Sequence, residues 1–541
     1  MIEVTQLRLS VDHTPEELNR AAARALGIPE DGLLEMKVEK RAIDARKKSD
    51  VSFIYTLAVT VADEAAVLQC HRPDLCQVRP YPDETYAGVQ LMSGKPAAPD
   101  LRPVIVGTGP CGLFCGLMLA RAGWRPILLE RGKAAGPRAR DVTGFWRGTA
   151  EFQPESNVQF GEGGAGTFSD GKLYTQIKDR EHRIPWLLEE MVRAGAPEDI
   201  LVKARPHIGT DRLIKVVRHV REEIISLGGE VRFETRFERL DLDSLGRVVG
   251  AKLATGEIIP SRHVILAVGH SSRDTFAALH HQGVIMEAKP LSIGVRVEHP
   301  QVQIDRTQYG QFAGRQVLGA APYKFVYHHR QNGRAAYSFC MCPGGLVVAA
   351  SSEAGGLVTN GMSSYARAES NANAGFMVDV TPDDYGATAA NPLAGVEFQR
   401  KWERRAFEIG GSNYHAPIQT IRDFLANRPT KALGSVVPSY RPGVTPANLV
   451  SCLPDYVVNT LRAAIPMIDR QLRGFAHAEG LLTAVETRSS SPVRLTRNPE
   501  TYESISTPGL YPAGEGAGYA GGIISAAVDG LRIAEALLKI E

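Results

Sequence analysis

The spacing of apolar positions changes several times along the chain, and the changes divide it. IEVTQLRLSV, at the start, alternates like a half-buried strand. Thr14-Pro-Glu-Glu then supplies an N-cap, a proline at the first helical position and acids in the first turn, predicting a helix through about Leu26. LLEMKVEKRAI and VSFIYTLAVTV predict two further strands, and a short apolar helix is expected over Glu64–Cys70. The order β-α-β-β predicts a small open-faced sandwich. Pro and Gly cluster over 81–103, which reads as a linker.

From Pro103 the period shifts. A short apolar run, Val104–Val106, enters Gly107-Thr-Gly109-Pro-Cys-Gly112, an apolar helix follows, and a second short strand ends on Glu130. Strand, glycine turn, helix, strand and acid form the dinucleotide-binding pattern. The first glycine permits the tight turn, the second lets backbone approach a pyrophosphate, and the third lets helix and strand pack closely. The helix N-terminus offers free N–H groups to phosphate. Glu130, about 18 residues past the last glycine, is placed to accept from a ribose diol. A second glycine-rich run, Gly161 to Lys172, has no strand before it, so it is not a second such turn. Its glycines allow close approach of a large flat ligand.

Beyond it, a four-turn helix is expected near Asp211–Leu227, then a strand meander ending in a buried run, Val264–Val268, that stops at Gly269-His270. Residues 291–480 have a different texture, with short β-like runs such as LSIGVRVEH and AAYSFCMC between long Gly, Pro and Ser loops. The end of the chain returns to nucleotide-binding grammar: GLYPAGEGAG, then an Ala-rich helix over Ile523–Leu538 in which Gly530 is the one weak residue. No fixed-period repeat is present. The expected divisions are 1–95, a small α/β domain with its linker; 96–290 and 481–541, a nucleotide-binding domain in two parts; and 291–480, an inserted β-containing substrate or cap domain.

A chain of 541 residues calls for two or three domains. Its 62 basic and 60 acidic residues give a net charge of +2, so bulk charge provides no case for nucleic acid or an anionic membrane. Lys40, Arg41, Arg46, Lys47 and Lys48 form a local basic cluster that reads as a solvated hairpin or a docking surface sooner than a polyanion grip. The N-terminus lacks a signal pattern, and no apolar run approaches a membrane span. Seven scattered cysteines suit free thiols in a reducing compartment, so cytoplasm is expected.

Three separated elements, GxGxxG with its terminal acid, VILAVGH and GLYPAGEGAG with its helix, resemble the FAD-binding domain of two-dinucleotide-fold flavoproteins whose substrate domain is inserted. NVQFGEGGAGTFSDGKL, ARPHIGTD, VGHSSRDT, IGVRVEHPQ, YSFCMCPGG, TNGMS, TRSSSPVR and GEGAGYAGGI extend the resemblance over nearly the whole chain, to a group of bacterial FAD-dependent dehydrogenase-like proteins. The resemblance implies an α/β fold: a three-layer Rossmann-like FAD domain, the inserted domain and a small N-terminal α/β domain. It implies pyrophosphate at Gly107, Gly109 and Gly112, ribose at Glu130, and ribityl and pyrophosphate contacts at Gly514 and Glu515. The last acid is more commonly Asp, and Glu515 is one methylene longer. The full set of expected cofactor contacts adds Pro110, Cys111, Arg131, Gly132, Gly163, Gly164, Ala165, Gly166, Thr167, Lys172, Phe237, Ala267, Val268, Gly269, Gly522 and Ile523.

With one fingerprint only, a dedicated nicotinamide domain is not expected, and NAD(P)H enters as a transient electron donor at most. Candidate catalytic residues beyond the flavin are Cys340, Cys342, Lys172 and His270, with the Arg488 segment as a further binding candidate. Cys340 and Cys342 share a face of a regular strand and form either a reducible pair or thiols that pack. Lys172 follows the glycine-rich run and either serves catalysis or neutralises phosphate. His270, with Arg273 and Asp274, sits past a strand end, where open α/β sheets bind ligands; capping the next helix is the alternative. Arg488-Ser-Ser-Ser supplies donors to an anion or is a polar loop. No metal site is expected, since no second Cys pair or His cluster completes a tetrahedron. The expected function is an FAD-dependent oxidoreductase moving a hydride through flavin N5 to or from a small molecule. A flavin-carrying binding or regulatory protein, and a flavoenzyme acting on RNA through the basic hairpin, are the alternatives.

Overall fold

The computed structural model describes residues 1–70, 73–82, 85–93 and 102–540. The expected boundary at 95/96 lies outside the described residues.

Five short strands form a parallel sheet in the order Leu510–Pro512, Val264–Leu266, Val104–Val106, Ile127–Leu129, Glu230–Arg232. The first four are buried throughout, as expected of strands covered on both faces. Helices Pro110–Arg121, Thr210–Ser226 and Ile523–Ile540 share one apolar core beneath the sheet. On the other face the antiparallel meander Phe237–Leu242, Val248–Leu253, Ile258–Pro260 packs with the alternate side chains of the central strands. These are the three layers. Gly530, weak within its helix, lies where a Cβ would come within 2.2 Å of Cys111 O, so the two long helices meet backbone to backbone.

A seven-stranded sheet carries most of the remaining chain, in the order Val326–His328, Ala335–Cys342, Asn371–Val380, Leu291–Pro300, Leu481–Glu486, Ala416–Thr420, Val444–Pro446. Leu481–Glu486 therefore belongs to this sheet, and the chain returns to the nucleotide-binding layers after Glu486 rather than at 481. Its six buried residues fit either sheet by pattern; only pairing with Leu291–Pro300 decides. Helices Ala394–Gly410 and Asp455–Asp469 accompany this sheet.

The N-terminal unit is a four-stranded antiparallel sheet, Leu33–Asp44, Ser52–Val61, Ile2–Ser10, Gln77–Pro80. Helix Pro15–Leu26 packs on it, held by a reciprocal Thr14/Glu17 capping box. The basic hairpin is solvated but touches the rest of the chain where Lys48 Nζ donates to Gln308 O at 2.7 Å; the exposed Arg46 pairs with Asp44 at 2.7 Å. Part of the segment read as a linker is structured: Gly88–Met92 is helical, and Tyr86 is buried with its hydroxyl donating to Glu535 Oε1 at 2.6 Å. An aromatic ring with a hydrogen-bonding tip anchors it among the Pro and Gly that suggested a linker.

Arg138, on helix Ala135–Trp146, holds the glycine-rich run in place. Its fully buried guanidinium donates to the carbonyls of Asn157, Val158, Gly161 and Glu162 at 2.7–3.1 Å. Arg138→Met is expected to cost about 3 kcal/mol, because buried carbonyls lose their donors. The denaturant midpoint should fall and amide exchange over 157–162 should accelerate. An unchanged midpoint would mean that water replaces the guanidinium at no cost.

Candidate functional site

The turn after Val104–Val106 uses its three glycines for three different reasons. Gly107 has φ +104°, and a Cβ there would lie 2.3 Å from Ala267 O. Gly112 is pressed against the turn, with its Cβ position 2.0 Å from Gly107 O. At Gly109 the Cβ position has nothing nearer than Gly164 Cα at 3.9 Å, so that side is open. Helix Pro110–Arg121 begins there with no side-chain cap, and its proline removes one donor. Its next N–H groups are left for a ligand.

The glycine-rich run folds over this turn. Gly163 N donates to Thr108 O at 2.9 Å. Glu130 joins the loops: one carboxylate oxygen accepts from Thr108 N at 3.1 Å and Thr108 Oγ1 at 2.7 Å, the other from Gly132 N at 2.9 Å and Gly161 N at 3.0 Å. Four donors match the roughly four lone-pair sites of a carboxylate.

One cleft crosses the C-terminal ends of the parallel strands. It is lined by Gly107, Gly109, Pro110, Cys111, Glu130, Arg131, Gly164, Ala165, Gly166, Lys172, Phe237, Ala267, Val268, Gly269, Glu515, Gly522 and Ile523, with His270 and Cys340 among them. Strand order sets their sequence: Glu130 lies on one side of the Gly107 turn, and His270 and then Glu515 on the other.

Six expected residues stand behind the cleft instead of lining it. Gly112 and Gly514 are packing positions, Gly514 with its Cβ site 3.0 Å from Cys111 Cβ and its N–H donating to Asp529 at 2.7 Å. Gly132 sits against Gly161, where a Cβ would approach to 2.6 Å. Gly163 has φ +82° and faces Thr167, whose buried hydroxyl donates to Glu162 O at 3.2 Å. In each case the residue shapes the loop and a neighbour meets the cleft. Cys342 is the sixth. Regular alternation fails in Ala335–Cys342: the register slips between Phe339 and Cys342, and Cys340 has φ +40°. Cys340 reaches the cleft, while Cys342 is fully buried behind it.

Residues without a sequence signal complete the wall. Phe339 and Asn360 come from the large sheet and its neighbouring hairpin, and Gln159 and Thr235 from loops. Asn360 lies in TNGMS, which carried the resemblance but showed no chemistry. Arg488, undecided from sequence, also lines the cleft. It is held by Glu403, which accepts from Arg488 Nε and Nη2 at 3.1 and 2.9 Å and from Arg273 Nη1 and Nη2 at 2.9 and 2.7 Å. Burial pushes the Glu403 carboxyl up, but the two guanidinium groups outweigh it and hold it far below the carboxylate range. Arg273 is thus structural.

Burial, then Arg488 and Arg273, depress His270 to about 3, so its ring is neutral near pH 7; its Nδ1 meets Ser271 Oγ at 3.0 Å. Lys172 pairs with Asp170 at 3.2 Å. Burial works against the Lys172 charge, but Asp170 and the two thiols raise its pKa above the ordinary value. Burial pushes Glu515 up to about 7 against the pull of Lys289.

A family model described as FAD-dependent protein, C-terminal domain-like, matches residues 290–489, and a domain of unknown function matches residues 1–60. An uncharacterized protein of Clostridium beijerinckii is 44% identical over 539 residues, 99% of this chain and 98% of that one. The chain belongs to the family of that protein, a family of FAD-dependent proteins. Its cofactor is FAD. Distant likeness extends to solved structures. A geranylgeranyl bacteriochlorophyll reductase-like protein of Thermoplasma acidophilum is 13% identical, with 81% of this chain and 78% of that one covered and a TM-score of 0.35. A 3-ketosteroid-delta4-(5alpha)-dehydrogenase of Rhodococcus jostii is 14% identical, with 82% and 97% covered and a TM-score of 0.34.

Gly109→Val is expected to place a side chain in the open cleft and weaken FAD by roughly tenfold or more, about 1.4 kcal/mol or above. The fold should persist, since nothing crowds that position. Flavin content by absorbance, with circular dichroism as the control, checks both halves. Full FAD occupancy would remove the turn from the cofactor site.

Glu515 gives a pH signature. Its folded value of about 7 lies above the ordinary 4.5. Its contribution to stability is therefore complete below about pH 4.5 and is lost as pH rises through 7, up to about 3 kcal/mol. In FAD-free protein, Glu515→Gln should flatten the decline in urea midpoint between pH 5 and pH 8. Parallel profiles for parent and variant would show that this carboxyl ionises normally.

Proposed function

We propose that this protein is an FAD-dependent oxidoreductase in which a small molecule exchanges a hydride with flavin N5. The observation that carries this reading is the composite wall. Phe339, Cys340 and Asn360 project from the second sheet system into the same cleft as the glycine turn and Glu515. A second layer closing over a cofactor cleft makes a shielded chamber for a substrate. FAD supplies the two-electron chemistry. The chain positions it: Gly109 and the uncapped helix N-terminus receive the pyrophosphate, and Glu130 the adenosine ribose. Thr108 Oγ1 is the one rotatable donor of the four on Glu130, so it turns aside to admit a ribose hydroxyl.

At the other end Arg488 orients the substrate's polar group, fixed by Glu403. His270 is neutral, with Nδ1 beside Ser271 Oγ, and lines the same cleft as an uncharged polar group. Residues 291–486 form the substrate-holding part under this reading. Free thiols at Cys76, Cys111, Cys115, Cys340, Cys342 and Cys452 support a cytoplasmic setting. Among the described residues no helix is long and apolar enough to cross a membrane.

The test is anaerobic reduction of purified holoprotein with NADH, NADPH and a metabolite panel, followed at the flavin band. A small-molecule reductant should bleach the band rapidly, with NAD(P)H slow even at millimolar concentration. Tight stoichiometric NAD(P)H binding, displaced by AMP-type ligands, would overturn the assignment of a single nucleotide site.

A further inference from the structure

We propose that Cys340 and Cys342 are a redox-active dithiol that exchanges two electrons with the FAD of this cleft. The inference rests on the reading of the cleft as the FAD site. Four observations carry it.

The first is reach. In a regular strand, residues i and i+2 are separated by about 6.6 Å of rise, near the upper limit for a disulfide. Here the bulge after Phe339 and the left-handed φ of +40° at Cys340 interrupt the extended backbone between the two residues. Cys342 Sγ turns back onto its neighbour and lies 3.3 Å from Cys340 O. A non-glycine residue held at positive φ is strained, and such strain gathers at functional positions.

The second is placement. Cys340 opens on the cleft on the Glu515 side, distant in strand order from the Glu130 end, and Glu515 feels its charge. Cys342 stands directly behind as a shielded resolving thiol.

The third is charge. The Lys172 ammonium is buried and paired with Asp170 at 3.2 Å without a well-aligned hydrogen bond among the described residues, and its field falls on both sulfurs. Arg296 donates to Cys340 O at 3.0 Å and adds a second cation. The hydrogen bond from Cys342, with Lys172 and Arg296, lowers the Cys340 thiol well below its ordinary value and raises Cys342. A thiolate beside cations in an open cleft is the reactive form.

The fourth is contrast. Cys111 also lines the cleft, yet burial and Asp529 push its thiol up, as burial does for Cys115 and Cys452. Those thiols pack; Cys340 is set apart by its partner and its cations.

The step balances. The Cys342 S–H bond breaks and one Sγ–Sγ bond forms with the Cys340 thiolate; the two electrons and one proton released, with one further proton from solvent, reduce FAD to FADH2. In reverse, FADH2 generated from the substrate opens the disulfide and leaves a reducing dithiol in the cleft.

The test is an anaerobic dithionite titration of air-oxidised holoprotein, read at the flavin band, with thiol mapping. Trypsin releases Ala335–Arg367, which contains both cysteines and no others. The parent is expected to consume two equivalents of dithionite per FAD, and Cys342→Ser and Cys342→Ala one each. The peptide should be lighter by two hydrogens before titration and doubly alkylated after it. Parent protein that binds FAD, takes one equivalent and shows both thiols alkylated in either state overturns the dithiol alone. Purified protein without FAD overturns the cofactor site and this inference with it.

Discussion

The structure depends on backbone meeting backbone where the parallel strands end. Gly112 against Gly107 O, Gly530 against Cys111 O and Gly516 against Gly269 O are contacts at which a Cβ would stand 2.0–2.4 Å from a carbonyl oxygen. A methyl group at any of them forces the two backbones apart. The same absence of side chains that lets the layers close also leaves the cleft open at Gly109. Close packing beneath the turn and empty space above it are two consequences of one constraint.

A second constraint joins the layers that the glycines leave separate. Glu403 sits between Arg273, which follows the Val264–Leu266 strand, and Arg488, which follows Leu481–Glu486, and Thr487 Oγ1 donates to it at 2.7 Å. Arg273 reaches onward to Glu353, which Arg400 also binds. Such a network adds little net stability over an apolar core of the same shape. Losing one member is costly, because it strands a buried charge. Its value here is register: it fixes helix Ala394–Gly410 and the Arg488 loop to the wall of the cleft.

Arg296 and Glu486 extend this pattern beneath the thiols. Their charged groups approach to 3.2 Å in full burial, and burial lifts Glu486 to about 8. Asn373 and Thr483 are also buried in this layer, with no side-chain hydrogen bond among the described residues. A polar interior directly under Cys340 differs from the apolar cores on either side. It gives the cleft floor groups that can take up or release protons beside the sulfurs.

The sequence by itself determined the nucleotide-binding half. Strand, glycine turn, helix and acid are neighbours in the chain, so their geometry is local, and the turn, Glu130 and the Glu515 segment all came to the cleft. It also predicted helix Pro15–Leu26 from its cap and helix Ile523–Ile540 from its apolar run. Helix Ala394–Gly410 was not legible, because its buried face carries Gln399 and Glu403, so the apolar period is broken. The bulge at Cys340 was not legible either, since register is set by the partner strand Asn371–Val380. Which glycine faces ligand and which faces backbone, as at Gly109 and Gly112, depends on what the rest of the chain brings alongside. Phe339, Asn360 and Arg488 enter the cleft through strand pairing and buried charge between segments far apart in the chain. Local spacing carries information about neighbours along the chain; contacts of this kind are fixed only when the layers pack.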